Sequence, residues 1–71
     1  MSTFKDRVSN VLYDLDNGTD HVAKLVRIAR HEGDRENYAE CEEFLKNALA
    51  NLQTIESRLK HSLSVVAEAL K

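Results

Sequence analysis

The sequence predicts an all-α fold: one domain that forms an antiparallel two-helix hairpin of the coiled-coil type. Three observations predict it. The 71 residues include no Pro and only 2 Gly, a composition that favours helix. Apolar residues recur at steps of three and four in both halves of the chain, which is the spacing of one helix face. A short turn signal separates the halves, and a short connection makes the flanking helices antiparallel neighbours.

The first helix is predicted over about residues 3–31. Thr3 is the expected N-cap, with Asp6 three residues later as in a capping box. Gly18 takes the place of a missing member in the apolar series. The series predicts the side of this helix that packs against the second, and its members are Phe4, Val8, Val11, Leu15, Val22, Leu25 and Ala29.

The segment 16–20 leaves two alternatives for the first half. Asn17-Gly18 is a strong turn signal inside five poor helix formers, which favours two short helices and hence three in total. The apolar series nevertheless keeps its heptad phase across the segment, which favours one continuous helix, because packing overrides propensity.

The turn is predicted at residues 32–34. Gly33 is placed as the residue that ends the first helix, and Asp34 as the cap of the next. His31, near the end of the first helix, suits the helix dipole. The second helix is then expected over about residues 35–70.

The second helix carries two overlapping apolar rows. The first comprises Tyr38, Cys41, Leu45, Ala48, Leu52, Ile55, Leu59, Ser62, Val66 and Ala69. The second comprises Leu45, Leu49, Leu52, Glu56, Leu59, Leu63, Val66 and Leu70. Together they make an apolar face too wide for one helical neighbour, so part of it is expected to bind another protein.

The rows divide into two predicted sets of residues. Within the hairpin, the first helix is expected to pack through Val8, Val11, Leu15, Val22 and Leu25 on the second helix's Leu45, Leu52, Ile55 and Leu59. The predicted partner-binding residues are Leu12, Val26, Leu49, Leu63, Val66 and Leu70.

Other functional classes find little support in the composition. His21, His31 and His61 lack the short spacings of a metal site, and Cys41 is surrounded in sequence by glutamates, which disfavour a thiolate nucleophile. We therefore expect no enzyme activity, no metal and no cofactor. A net charge of -2 and the short apolar runs argue against nucleic-acid binding and a membrane span. A lone thiol fits a reducing, cytoplasmic location.

The segment from Gly33-Asp34 through Tyr38, with the striped helix that follows it, resembles the small co-chaperones of type III secretion needle subunits. The resemblance covers the turn and second helix best, while the first helix matches in length and pattern only. It implies two partners: a helical-repeat, tetratricopeptide-like chaperone and the needle subunit. The expected function is to stabilise that chaperone and so help keep the needle subunit soluble and monomeric in the cytoplasm.

The alternative is a small helical-bundle regulator or adaptor that acts as a homo-oligomer. Self-association through the same apolar face is also expected of the co-chaperone when its partner is absent. Both functions depend on one physical expectation, that two helices of this composition leave apolar surface unburied.

Overall fold

The computed structural model describes residues 3–71 and consists of two antiparallel helices. Helix α1 spans Phe4–Asp34 and helix α2 spans Tyr38–Ala69. No strand occurs among the described residues. The Cα atoms occupy a rod of 52 × 16 × 15 Å. The all-α hairpin predicted from the sequence is confirmed.

The start of α1 follows the capping prediction. The Oγ1 atom of Thr3 accepts a hydrogen bond from the backbone N–H of Asp6 at 3.3 Å. This bond satisfies one of the amide groups that a helix start leaves without an intrahelical partner. The predicted N-cap is therefore confirmed.

Helix α1 continues without a break through Asn17 and Gly18, so the single-helix alternative is correct. The reason for glycine lies in the packing. A Cβ atom placed on Gly18 would come within 2.5 Å of the Cδ1 atom of Ile55. The glycine lets the two helices approach closely, and this packing outweighs the cost of about 1 kcal/mol that glycine brings to a helix interior.

The connection lies three residues later than predicted, because α1 extends through Asp34. Glu36 adopts the left-handed conformation at φ 62° that was expected of Gly33. The N–H of Glu36 donates to the Gly33 carbonyl at 3.0 Å, and that of Asn37 donates to the Glu32 carbonyl at 2.9 Å. This is the Schellman arrangement, in which the last carbonyls of a helix accept bonds from the residues that leave it.

Both capping predictions at the turn are wrong because α1 continues through Asp34. Gly33 lies inside α1, where an added Cβ would sit 3.5 Å from the Sγ atom of Cys41. Asp34 is the last residue of α1, and Asn37 is the N-cap of α2. Asn37 makes no cap bond; its Nδ2 atom instead donates to Glu32 Oε2 at 2.7 Å and ties the turn together.

We use the term seam for the residues through which each helix faces the other. On α1 the seam follows the predicted series from Val8 to Ala29, and it is buried or half-buried throughout. The first member of that series, Phe4, is 48% exposed, so its predicted place in the packing is wrong. Its centre is an apolar cluster of Val22 and Leu25 with Ala48 and Ile55 of α2. The full α2 seam recurs every three or four residues and comprises Cys41, Phe44, Ala48, Asn51, Ile55, Arg58, Ser62 and Val65.

The prediction that Leu45, Leu52 and Leu59 pack on α1 is wrong. These leucines are 45% to 49% exposed, whereas Ile55 is buried as expected. Each leucine follows a seam residue by one position, and one residue corresponds to a rotation of 100° about a helix that has 3.6 residues per turn. Helix α2 is turned so that the line from Cys41 to Val65 faces α1, which agrees with the Ile55 side chain filling the space beside Gly18.

Replacing Gly18 by Ala tests the close approach. Alone, it is expected to lower the free energy of unfolding by about 1 kcal/mol, since overpacking costs about 1–3 kcal/mol and exceeds the gain in helix propensity. In an Ile55→Val background, which lacks the Cδ1 atom, the same replacement is expected to be stabilising. Urea unfolding of the four proteins measures the coupling between the positions. Equal effects of Gly18→Ala in both backgrounds would contradict the close contact.

Replacing Glu36 by Gly tests the conformation of the turn. Left-handed backbone costs a residue with a Cβ atom about 1 kcal/mol, so the variant is expected to be more stable by about that amount. Thermal unfolding followed by circular dichroism measures the change. The control is Arg35→Gly, one residue earlier at φ -87°, which is expected to be destabilising. A loss of stability in the Glu36 variant would argue against this turn.

Candidate protein-binding face

One side of the hairpin carries a group of unburied apolar residues that we call the leucine face. It consists of Leu12, Val26, Leu45, Leu49, Leu52, Leu59, Leu63, Val66 and Leu70. Eight of them are between 45% and 83% exposed, and Val66 is half-buried. On α2 the leucine face advances in steps of four and three, interrupted only by Glu56. Such spacing places the side chains along one stripe of the helix.

Helix geometry puts the α1 and α2 members of the leucine face on the same side. Leu12 and Val26 each follow a seam residue of α1 by one position, as Leu45 and Leu52 do on α2. In antiparallel helices, positions that follow the seam in this way flank it on one side, and positions that precede it flank the other. The two helices therefore form one continuous apolar surface.

An ion pair marks the opposite side. Arg7 directly precedes the seam residue Val8, and Glu68 directly precedes Ala69, which continues the spacing of the α2 seam beyond Val65. The Nη2 atom of Arg7 and the Oε2 atom of Glu68 lie 3.5 Å apart. Asp14 and His61 occupy equivalent positions and line one cleft with Arg58. We call this the polar side. Its charged residues agree with a solvated surface, and Ile28, which precedes the seam residue Ala29, is an exposed apolar residue on this side.

The structure places the six residues predicted to bind a partner on the leucine face. Five of them are exposed; the half-buried one, Val66, lies next to the seam residue Val65. The face is wider than predicted, because Leu45, Leu52 and Leu59 belong to it as well. Tyr38, 68% exposed, stands seven residues before Leu45 and continues the same row to the turn. Leu45, Leu52 and Leu59 were expected to pack on α1 because spacing alone does not distinguish the two apolar rows of α2, and Tyr38 was placed only in the first row.

The charges along the leucine face are paired within their own helix. Lys46 Nζ lies 2.9 Å from Glu42 Oε1, and Lys60 Nζ lies 3.2 Å from Glu56 Oε1. The hydrogen bond and the charge of Lys46 lower the pKa of Glu42, and Glu42 in turn raises the pKa of Lys46. The side chains of both pairs are solvated, so the pairs add little stability. They nevertheless keep the net charge along the leucine face close to zero.

No group of three or more His, Cys, Asp or Glu side chains is placed to hold a metal within residues 3–71. Asp14, His61 and Ser62 line one cleft of about 100 Å³ on the polar side. The Ser62 hydroxyl is buried and makes no hydrogen bond there. Cys41 is free and half-buried at the turn end of the seam.

Neither described helix combines the length and the low charge that crossing a bilayer requires. No family model matches the chain, and searches of curated proteins and of solved structures find no significant match. Function is therefore inferred from the geometry of the chain itself. Its dominant feature is the leucine face.

Ser62 supplies a test of the seam. A buried hydroxyl without a partner costs about 1–3 kcal/mol, so Ser62→Ala is expected to raise the free energy of unfolding by at least about 1 kcal/mol. Ser64→Ala, on exposed surface two residues later, reports the gain in helix propensity alone, about 0.5 kcal/mol. Chemical denaturation compares the two. If Ser62→Ala gains no more than the control, the hydroxyl has a partner or reaches water.

Proposed function

We propose that this chain is a non-enzymatic co-chaperone that binds a helical-repeat chaperone through the leucine face. Together the two proteins keep a type III secretion needle subunit soluble and monomeric in the cytoplasm. The observation that carries the proposal is the leucine face, nine apolar residues on one side of a hairpin whose other side is polar. Soluble monomers rarely expose a contiguous apolar patch larger than a few hundred Å², and larger patches mark interaction sites.

The shape of the face suits a helical partner. Its α2 residues repeat at three and four positions along a straight helix, so they form a ridge that fits the groove between two helices of a repeat protein. Leu49 and Leu63 are 59% and 69% exposed, more than Leu45, Leu52 and Leu59 on the same ridge. They therefore offer more apolar area to a partner than those three residues do.

Tyr38 links the face to the resemblance stated above. The segment from Gly33 to Tyr38 carries the likeness to needle co-chaperones, and its tyrosine continues the leucine face towards the turn. A large aromatic ring at the end of an apolar stripe is a frequent interface anchor. The likeness and the exposed face therefore favour the same surface of the hairpin.

The proposed mechanism is masking of apolar surface. Covering the leucine face and its counterpart on the chaperone removes both from water, and each Å² of apolar area contributes roughly 25 cal/mol before the costs of association. Binding only the folded forms of both proteins stabilises them by mass action. The chaperone then stays available to hold the needle subunit.

The test is the double variant Leu49→Glu with Leu63→Glu, co-expressed with a type III secretion helical-repeat chaperone from the same genome. Both charges would be buried in the complex, so affinity is expected to fall by at least about 100-fold and co-purification to be lost. Each new Glu follows a lysine by three positions, Lys46 or Lys60, so circular dichroism is expected to show unchanged helix content.

The control is Tyr13→Glu, because Tyr13 is as exposed as Leu63 and lies on the side of α1 turned away from α2. It is expected to co-purify with the chaperone as the unmodified chain does. Unchanged co-purification of the double variant would show that the leucine face is not the binding site. An unmodified chain that recruits no such chaperone, yet forms a stable oligomer, would instead favour the homo-oligomeric regulator.

A further inference from the structure

We propose that a second copy of this chain covers the leucine face when the partner protein is absent, so that the free form is a face-to-face homodimer built as a four-helix bundle. The inference rests on the proposed function, because the same face would serve both partners. Chaperone binding would then be an exchange in which one subunit of the dimer is replaced.

The first argument is the exposed area of the single hairpin. Its solvent-accessible surface is 5621 Å², whereas a compact monomer of 8.1 kDa exposes about 4,500 Å². The excess is therefore about 1,100 Å² per chain. Loss of one side of the hairpin to an interface would remove most of this excess.

The second argument is the size of the contact that two copies would make. One side of the rod measures 52 by 16 Å between Cα atoms, or about 800 Å², so two copies would bury about 1,600 Å² in total. That is the size of a standard stable interface. A second copy also has the length needed to cover the leucine face. That face runs from Leu12, near one end of the rod, to Val26 and Leu45 towards the turn.

The third argument is width. The leucine face spans both helices and, on α2, two adjacent lines of side chains represented by Leu45 and Leu49. One isolated helix, about 10 Å across with its side chains, leaves part of a side 16 Å wide uncovered. A second hairpin brings two helices at the same spacing and covers the whole side.

Charge is compatible with self-association. The charged residues that border the α2 leucines form pairs within their own helix, Glu42 with Lys46 and Glu56 with Lys60. Asp20 and Lys24 form a further pair of this kind on α1. With a net charge of only -2 per chain, two copies repel each other weakly.

The experiment is sedimentation equilibrium of the free, full-length chain from about 1 to 100 μM. The expected mass is that of a dimer, twice 8.1 kDa, at the upper concentrations. Because the interface is symmetric, Leu63→Glu places one charge in it from each copy and is expected to weaken the dimer by at least about 100-fold. Tyr13→Glu is expected to leave the dimer intact. A free chain that stays monomeric at 100 μM (roughly the upper range for a standard interface), or a dimer that tolerates Leu63→Glu, overturns the inference.

A variant that strengthens the dimer guards against effects of misfolding. Glu56 interrupts the leucine row on α2, and its ion pair with Lys60 is exposed. Glu56→Leu is therefore expected to tighten the dimer at least about tenfold, because each copy adds one apolar side chain to the interface. An unchanged or weaker dimer in this variant contradicts the face-to-face arrangement.

The two proposals fail separately. A monomeric free chain that still binds the helical-repeat chaperone through Leu49 and Leu63 removes the dimer and keeps the co-chaperone function. A dimer that Leu63→Glu dissociates, in a chain that binds no such chaperone, keeps the dimer and removes the co-chaperone function.

Discussion

Helix α2 has two apolar sides, about 100° apart around its axis, and the structure of the hairpin depends on which of them faces α1. Only one of them can face α1, and the structure uses the side that carries small residues, Ala48 and Ser62, beside larger ones such as Ile55. Because Gly18 of α1 has no Cβ atom, the Ile55 side chain fits against it. The leucines are thereby left on the surface. Close packing inside the hairpin and apolar surface outside it are thus two results of one constraint.

The sequence was sufficient to predict α1 and insufficient to orient α2. Along α1, the core positions from Val8 to Ala29 were found, because their spacing is regular and Gly18 keeps its phase, whereas Phe4 was wrongly included. On α2 two lines share the surface, and periodicity cannot rank them; the larger leucines were chosen, which is wrong. Gly18 was the available signal, since a small residue in a seam leaves room for a larger side chain opposite, and Ile55 occupies that space.

The turn escaped prediction for a related reason. Gly33 has the ordinary signature of a helix end, but it lies inside α1 beside Cys41, and the chain instead places Glu36 in the left-handed region. Extending α1 to Asp34 positions Glu32 to bind both the backbone and the side chain of Asn37. The left-handed backbone at Glu36 is locally unfavourable, but it is offset by contacts that form only once both helices are in place. Residue-by-residue propensity does not include such contacts and so does not predict this turn.

The rod shape of the hairpin also sets the order in which its contacts can form. Residues at the connection, such as Gly33 and Cys41, are separated by few peptide bonds, whereas Arg7 and Glu68 meet only after nearly the whole chain has been brought together. Since closing a longer loop costs more entropy, zippering from the connection towards the open end is the least costly route of assembly. The residues of the open end, such as Arg7 and Glu68, are then the last to meet.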